Sequence, residues 1–259
     1  MEEYLIFAKN LALKAGEIIL KYFDEDQKIK TKEDNSFVTI ADTTINDLVL
    51  KEIKEKFPSH GILAEEESNF NNEEYVWLCD PLDGTIAYTL TVPISTFAIS
   101  LVYKGDPIVA VIYDPFQKRL WHAIKGGGAF CNDKKINVNK NTLLSKSIIS
   151  SSGPTTSPDV NVPEMRLKLQ KIAYRLLSFA SSQFESMLVA SGKMSGVIFP
   201  GTSPHDMAGV QLIVEEAGGK VTDLYGNKQS YNQPIKGAIV SNGYLHDELL
   251  KIVVQSQNK

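Results

Sequence analysis

Residues 77–85 read Trp77-Leu78-Cys79-Asp80-Pro81-Leu82-Asp83-Gly84-Thr85, an apolar run that ends in two carboxylates, a glycine and a hydroxyl. Pro81 fixes its own φ and has no N–H, so the turn between the two acids is stiff. Two acids aimed at one point repel each other, and a divalent cation with oxygen ligands relieves that repulsion. Taken alone, the stretch is equally consistent with an Asx-rich surface turn, so the rest of the chain has to decide.

Length and composition are those of a globular protein, with 259 residues, of which 43% are hydrophobic and 22% are charged. The net charge of −4 and the lack of a basic block argue against a nucleic-acid-binding surface. No apolar stretch approaches the roughly 18 to 20 residues of a membrane span, and no signal-peptide pattern is present. We therefore expect a cytoplasmic protein without membrane or nucleic-acid partners. Cys79 and Cys131 lack metal-ligand spacing and are predicted to be free thiols.

Hydrophobic periodicity predicts an antiparallel-rich first half, residues 1–140. A first helix is expected over 2–23, and a second begins near Asp42 and stops at Pro58. Asp42 is consistent either with an N-cap or with a role in chemistry. Short buried strands at 62–64 and 75–79 run into Glu65-Glu66-Glu67 and Asp80, and a hairpin over 97–113 and a strand at 120–124 follow them. The glycines at 126–128 indicate a tight turn rather than a phosphate loop.

Residues 140–165 are rich in Ser, Thr, Asn and Pro and are predicted to cross to a second half, residues 141–259. There, helices and strands alternate, with helices at 181–191 and 245–254 and strands at 197–199, 220–224 and 238–241. Another helix begins at Ser203-Pro204-His205-Asp206 and ends at Gly218-Gly219. Ser203 suits the N-cap, Pro204 the first helical position, and Asp206 the third, where an acid can return a capping hydrogen bond.

Four acids, Glu65, Asp80, Asp83 and Asp206, lie where an apolar strand ends or a helix begins, which is where α/β proteins build their sites. If they meet without lysine or arginine, their mutual repulsion is severe, so their convergence implies bound cations. Two Mg²⁺ ions about 4 Å apart suit this number of ligands. The sequence therefore predicts a metal centre assembled from three separate segments.

Several motifs together resemble the inositol monophosphatase family. The two signature motifs are matched by Asp80-Pro81-Leu82-Asp83-Gly84-Thr85 and by Asp206-Met207-Ala208-Gly209 followed by Glu215-Glu216-Ala217-Gly218-Gly219. Further matches, at the expected spacings, are Val38-Thr39-Ile40-Ala41-Asp42, Phe57-Pro58-Ser59-His60, Glu65-Glu66 and Gly126-Gly127-Gly128-Ala129-Phe130-Cys131-Asn132. The resemblance extends over nearly the whole chain.

The resemblance implies a layered αβαβα sandwich, with an antiparallel-rich sheet in the first half and a smaller sheet in the second. It also implies lithium-sensitive hydrolysis of a small phosphorylated metabolite with two or three Mg²⁺ ions, usually by a homodimer. The implied metal ligands are Glu65, Asp80, the Leu82 carbonyl, Asp83 and Asp206, with Glu66 as the alternative to Glu65. Glu65 and Thr85 would orient the attacking water, and Asp42 would accept a hydrogen bond from the Thr85 hydroxyl. The N–H groups of Gly84 and Thr85 would hold phosphate oxygens.

The positions expected to contact the substrate depart from the inositol-type pattern. Asp83, Gly84, Thr85, Ser181 and Phe199 are the predicted substrate contacts, but a Gly-Ser-Ala-type run is replaced by Ala180-Ser181-Ser182-Gln183. Phe199 stands where an acid commonly meets inositol hydroxyls, and is consistent with plain core or with an apolar wall. His205 replaces the usual Trp and is interpreted as a packed side chain rather than a ligand. Ala87, which replaces an Asn, and the segment 32–39 resemble other branches of the family.

Three alternatives to an inositol-phosphate phosphatase therefore stay open. Two are enzymes of the same chemistry, acting on histidinol phosphate or on 3′(2′),5′-bisphosphate nucleotides. The third is a regulatory binding protein that retains the phosphatase fold.

Overall fold

The computed structural model describes residues 1–25, 27, 29–31, 37–65, 68–69 and 74–258. Within these residues, helices and sheets stack in five layers, α, β, α, β and α, which confirms the predicted sandwich. Residue 66, the alternative metal ligand, and residues 32–36 of the segment matched above lie outside the described residues.

The first half forms two helices and then a large sheet. Its elements are α1 (Glu2–Tyr22), β1 (Lys30–Thr31), β2 (Phe37–Val38), α2 (Ile40–Lys56), β3 (Gly61–Ala64), β4 (Ser68–Asn69), β5 (Tyr75–Asp83), α3 (Thr85–Thr89), β6 (Thr96–Tyr103), β7 (Asp106–Asp114), β8 (Arg119–Ile124), β9 (Gly128–Cys131) and β10 (Lys134–Lys135). Strands β1 and β2 pair with each other, and the other eight form one sheet in the order β10-β9-β8-β7-β6-β5-β3-β4. Every neighbour in this sheet is antiparallel except β3 and β5, which run parallel.

The second half forms a smaller sheet between helices. Its elements are β11 (Ile148–Ser151), α4 (Val162–Ile172), β12 (Arg175–Leu177), α5 (Ser182–Ala190), β13 (Gly196–Phe199), α6 (Pro204–Glu216), β14 (Lys220–Thr222), β15 (Ala238–Ser241) and α7 (His246–Val254). The five strands lie in the order β12-β11-β13-β15-β14. Strands β12, β11 and β13 are parallel to one another, whereas β15 and β14 are antiparallel to their neighbours.

Strand β5 has both faces buried, which explains its unbroken apolar sequence. Because side chains alternate along a strand, Trp77 and Cys79 pack in the core under α1 and α2, whereas Val76 and Leu78 pack in the core that holds α5 and α6. The second of these cores also contains residues of the smaller sheet, so it joins the two halves. A third core lies beneath α4 and α7, on the outer face of the smaller sheet.

The segment 140–165 is not the plain crossing that its composition predicted. It contains a short 3₁₀ turn, Leu144–Lys146, then β11, and the start of α4. Ser150 and Ser151 made β11 look like a loop, but both are fully buried because β12 and β13 flank the strand. Tertiary pairing here overrides the low strand propensity of serine. The division of the chain at residue 140 stays a prediction.

Two further details differ from the sequence prediction. The N-cap of α2 is Thr39, and Asp42 occupies the third helical position of a capping box. The N-cap of α6 is Ser203 and Pro204 is in its first turn, as predicted, but no side-chain hydrogen bond caps that helix. Asp206 is thus not used as a capping acid. In the described part of the chain, no helix is long and apolar enough to cross a membrane.

Candidate active site

The parallel pair β3 and β5 brings the first two acids together. Leu63 and Ala64 pair with Leu78 and Cys79, and the Glu65 N–H continues the ladder by donating to the Cys79 carbonyl at 3.2 Å. Both strands then end at the same edge of the sheet. Glu65, directly after β3, therefore lies beside Asp80 of β5, as the sequence predicted for two neighbouring strands that run into acids.

The turn after Asp80 departs from regular strand geometry. Pairing with β6 shifts register between Asp80 and Asp83, where Pro81 has no N–H to offer the ladder. The Asp80 Oδ1 accepts from the Leu82 N–H at 3.0 Å, which closes the turn. Gly84 then has φ of +82°, and a Cβ there would lie 3.0 Å from the Cβ of Ser181. Only glycine fits this conformation and this close approach to the start of α5.

Asp83 caps α5 from about 100 residues away. Its Oδ1 accepts from the Ser182 N–H and hydroxyl, both at 3.1 Å. Its Oδ2 accepts from the Gln183 N–H at 3.0 Å, from the Ser181 hydroxyl, and from the Thr96 hydroxyl at 3.3 Å. Ser181 is the N-cap residue of α5 but makes no capping bond itself, because Asp83 satisfies the first N–H groups instead.

Asp80 is also held by α5. Its Oδ2 accepts a hydrogen bond from the side-chain Nε2 of Gln183 at 2.7 Å. Both residues are buried, with Asp80 2% exposed and Gln183 fully covered. The first turn of α5 thus contacts both acids of the 80–83 turn, Asp80 and Asp83.

Asp206 reaches the same site from the start of α6. Its carboxyl shares the site with Glu65 and Asp83, whose charges act on it. His205 Nε2 lies 3.8 Å from Asp206 Oδ1, and the two side chains are 12% and 19% exposed. His205 is therefore a largely buried neighbour of Asp206, in line with its interpretation as a packed side chain. We refer to Glu65, Asp80, Asp83 and Asp206 as the acid cluster.

Proximity and burial make ionisation of the acid cluster costly. Burial raises the pKa of Asp80 well above its usual range, and the charges of the other three acids raise it further. Burial also raises the pKa of Asp206 well above its usual range, with added contributions from Glu65 and Asp83. For Asp83, burial raises the pKa, while the hydrogen bonds from α5 oppose the shift. The thiol of Cys79 feels the same cluster, because burial and then the charges of Asp80 and Glu65 raise its pKa.

The chemistry of the acid cluster fits a hard cation. Its atoms are carboxylate oxygens together with the nearby Leu82 carbonyl, which are the donors that Mg²⁺ prefers. A bound cation favours ionised acids and so reverses the pKa shifts described above. As the described side chains stand, however, no three or more His, Cys, Asp or Glu residues are arranged to hold a metal ion. Oxygens of Asp80 and Asp83 instead accept hydrogen bonds from uncharged donors, chiefly in α5.

Two of the predicted water-orienting residues lie at or near α3, which Thr85 begins. The Thr85 hydroxyl donates to the Leu82 carbonyl at 3.0 Å. Asp42 Oδ2 accepts from the Thr39 N–H at 2.7 Å and from the Thr39 hydroxyl at 2.6 Å. Asp42 also lies close to Tyr88 of α3. Burial raises the pKa of Tyr88, and the charge of Asp42 raises it further. The hydrogen bond from Thr85 to Asp42 that the resemblance implies stays a prediction.

The predicted substrate positions differ in how they are packed. Ser181 is 1% exposed, and its hydroxyl donates a hydrogen bond to Asp83. Phe199 is 3% exposed and belongs to the central core, where its ring fits against Gly153 and Gly201, so closely that a Cβ at either glycine would clash with it. This packing favours the core interpretation of Phe199 over an apolar wall, and its substrate contact stays a prediction.

Sequence reasoning missed three polar residues near the acid cluster. Gln183 and Ser182 were visible only as departures from the small-residue run at the start of α5. Glu185 carried no signal, yet it is fully buried and accepts from the Ser150 hydroxyl at 2.6 Å and from the Phe179 N–H. Burial raises its pKa as well. Apart from Phe179, the partners of these side chains are distant along the chain, so local pattern could not indicate them.

The fold and site define a layered αβαβα protein whose acid cluster lies where strand β3 ends, in the last part of strand β5 and where helix α6 begins. Comparison with known proteins gives the family. A model described as the inositol monophosphatase family matches residues 1–258. The chain therefore belongs to the inositol monophosphatase family and is a phosphoric monoester hydrolase.

Individual relatives agree with this assignment over almost their full lengths. Inositol monophosphatase 1 of Solanum lycopersicum is 32% identical over 237 residues, covering 88% of this chain and 87% of that protein. A Thermotoga maritima protein named fructose-1,6-bisphosphatase/inositol-1-monophosphatase is 30% identical over 252 residues, covering 96% and 95%. The solved structure of a Thermotoga maritima IMPase matches with a TM-score of 0.90 at 27% identity, covering 98% of this chain and 97% of that one.

Proposed function

We propose that this phosphatase hydrolyses small phosphate monoesters of polyols or sugars, with Mg²⁺ held by the acid cluster and by the Leu82 carbonyl. The observation that carries the proposal is the convergence of four acids from three segments, which together with burial raises the pKa of Asp80 and Asp206 well above the usual range. Such a cluster is costly in the absence of a cation and is stabilised by one. The names of the relatives support a phosphorylated polyol or sugar as substrate.

The mechanism assigns a separate role to each group of side chains. Mg²⁺ bound by the acid cluster would lower the pKa of a water molecule and neutralise charge on the phosphate. Glu65 and Thr85 would orient that water. The Thr85 hydroxyl donates to the Leu82 carbonyl, and with a cation held at that carbonyl the hydroxyl would donate to Asp42 instead. The N–H groups of Gly84 and Thr85 donate to phosphate oxygens. Asp83, which α5 holds rigidly, aligns the substrate as well as the cation.

The test compares the wild type with Asp206→Asn in a panel of phosphate monoesters at saturating Mg²⁺. Asp206 is preferred to Asp83 because Asp83 also caps α5. Loss of a ligand should lower kcat/KM at least about 100-fold, since even indirect partners of metal sites contribute 10- to 100-fold. Asp47→Asn, the same change on the exposed side of α2, is the matched control and should retain wild-type turnover. Equal activity of the wild type and Asp206→Asn would contradict the proposal.

The same panel decides the substrate class. Inositol and sugar monophosphates, histidinol phosphate and a 3′,5′-bisphosphate nucleotide are compared by kcat/KM. We expect the polyol or sugar esters to be preferred, and inhibition by millimolar Li⁺. A protein without turnover on any of them would instead support the regulatory binding protein. A homodimer is also proposed, and light scattering of the purified protein tests it.

A further inference from the structure

Gln183 is the one side chain of α5 whose amide contacts the acid cluster directly. Its Nε2 lies 2.7 Å from Asp80 Oδ2, and both residues are buried. The other oxygen of Asp80 accepts from the Leu82 N–H. Asp80 therefore has one hydrogen bond at each oxygen, and each oxygen retains a lone pair that can bind a cation.

The amide of Gln183 is satisfied at only one of its two ends. Its Oε1 is buried and accepts no hydrogen bond from the described residues. Gln211 on α6 is a useful comparison, because it is also buried but uses both ends of its amide. Its Oε1 accepts from the Tyr231 hydroxyl at 2.7 Å, and its Nε2 donates to Glu215 at 3.5 Å. A buried unsatisfied carbonyl is costly, so Gln183 is held at Asp80 at the expense of its own oxygen.

The backbone of Gln183 makes this contact rigid. Its N–H donates to Asp83 Oδ2 at 3.0 Å, while its side chain donates to Asp80. One residue thus joins two acids of the cluster, and it does so from the first turn of α5, where backbone N–H groups have no partners within the helix. Because the backbone of Gln183 is already held at Asp83, its side chain loses little conformational entropy when it binds Asp80.

We propose that Gln183 is a positioning residue of the metal centre, whose amide holds Asp80 in the orientation that binds Mg²⁺ and presents Oε1 to an O–H donor that arrives with the ion. This inference rests on the proposed function, since it concerns the same cation. A hydrogen-bonding partner of a ligand commonly contributes 10- to 100-fold to metal affinity. Gln183 should therefore act on Mg²⁺ binding before any substrate is present.

The experiment measures Mg²⁺ binding to the substrate-free protein by titration calorimetry. Gln183→Met keeps the length of the side chain and removes both hydrogen-bonding ends, and Gln183→Asn keeps the amide but is one methylene too short to reach Asp80. Gln211→Met is the matched control, because it removes a buried glutamine that bonds to Tyr231 and Glu215 instead. We expect both changes at Gln183 to raise the Kd for Mg²⁺ about 10- to 100-fold, and Gln211→Met to leave it within about twofold.

A second measurement needs no substitution at the site. In wild-type protein labelled with ¹⁵N at glutamine, the side-chain NH₂ signal of Gln183 should shift on addition of Mg²⁺, while that of Gln211 should stay in place. Unchanged Mg²⁺ affinity in both Gln183 variants, equal weakening in Gln211→Met, or a Gln183 signal that ignores Mg²⁺ would each overturn the proposal. If the wild type itself binds no Mg²⁺, the proposed function fails, which is distinct from failure of the role of Gln183 alone.

Discussion

Asp83 should stabilise the metal-free protein, although it is a buried acid beside three others. Replacing it with alanine leaves the N–H groups of Ser182 and Gln183 without their acceptor. Each buried donor left unsatisfied costs about 1 to 3 kcal/mol, whereas the hydroxyls of Ser181 and Thr96 can rotate towards other partners. Removal of the charge offsets part of this loss, because burial raises the pKa of Asp83. We expect a net loss of about 2 kcal/mol in the free energy of unfolding.

Thermal unfolding in EDTA measures this effect without the contribution of bound metal. In a protein of this size, about 2 kcal/mol corresponds to a decrease in Tm of about 4 to 8 °C. Asp206→Ala is the matched control from the same acid cluster, since no side-chain hydrogen bond caps α6. In addition, the pKa of Asp206 is raised well above the usual range, so its charge is costly in the metal-free protein. That variant should unfold at the wild-type temperature or above it.

The contrast between the two variants is what tests the reasoning. If Asp83→Ala is as stable as the wild type in EDTA, Asp83 does not hold α5 in place. If Asp206→Ala loses as much stability as Asp83→Ala, the loss reflects a general effect of emptying the cluster rather than the capping of one helix. Either result would refute the argument from hydrogen bonds.

Two further predictions concern stability away from the acid cluster. His246 is fully buried between the hydroxyls of Thr222 and Ser241, and burial lowers its pKa to about 4 from 6.5. Because the unfolded chain takes up the proton first, the stability due to neutral His246 is present above pH 6.5 and is lost as the pH falls towards 4. We expect urea unfolding to report a loss of about 2 kcal/mol between pH 7 and 4.5, a loss that His246→Gln should lack. Glu216→Gln should lower stability by about 1 kcal/mol at unchanged kcat, because its carboxylate accepts from the N–H groups of residues 126 and 128 at 2.6 and 2.7 Å. Thermal unfolding measures that loss, and a variant as stable as the wild type would contradict it.

The layered fold was largely predictable, because its elements have strong local patterns. Helix α1 was predicted at 2–23 and is found at Glu2–Tyr22, and the hairpin of β6 and β7 was predicted with its turn. Strand β11 was missed because its serines are buried only through pairing with β12 and β13. Asp42 was taken for a possible N-cap, whereas Thr39 begins the helix and Asp42 closes the capping box.

The sequence by itself indicates that Glu65 and Asp80 come together, since each directly follows a short apolar run and these two runs are consecutive along the chain. The sequence also contains the family motifs that predict Asp83 and Asp206 at the same site. Only the tertiary structure decided which groups these acids contact. Asp83 meets the N-terminus of α5 and Asp80 meets Gln183, across 98 to 103 residues of chain. These hydrogen bonds depend on how the central helices pack between two sheets, and such packing has no local signature in the sequence because the partners belong to different layers.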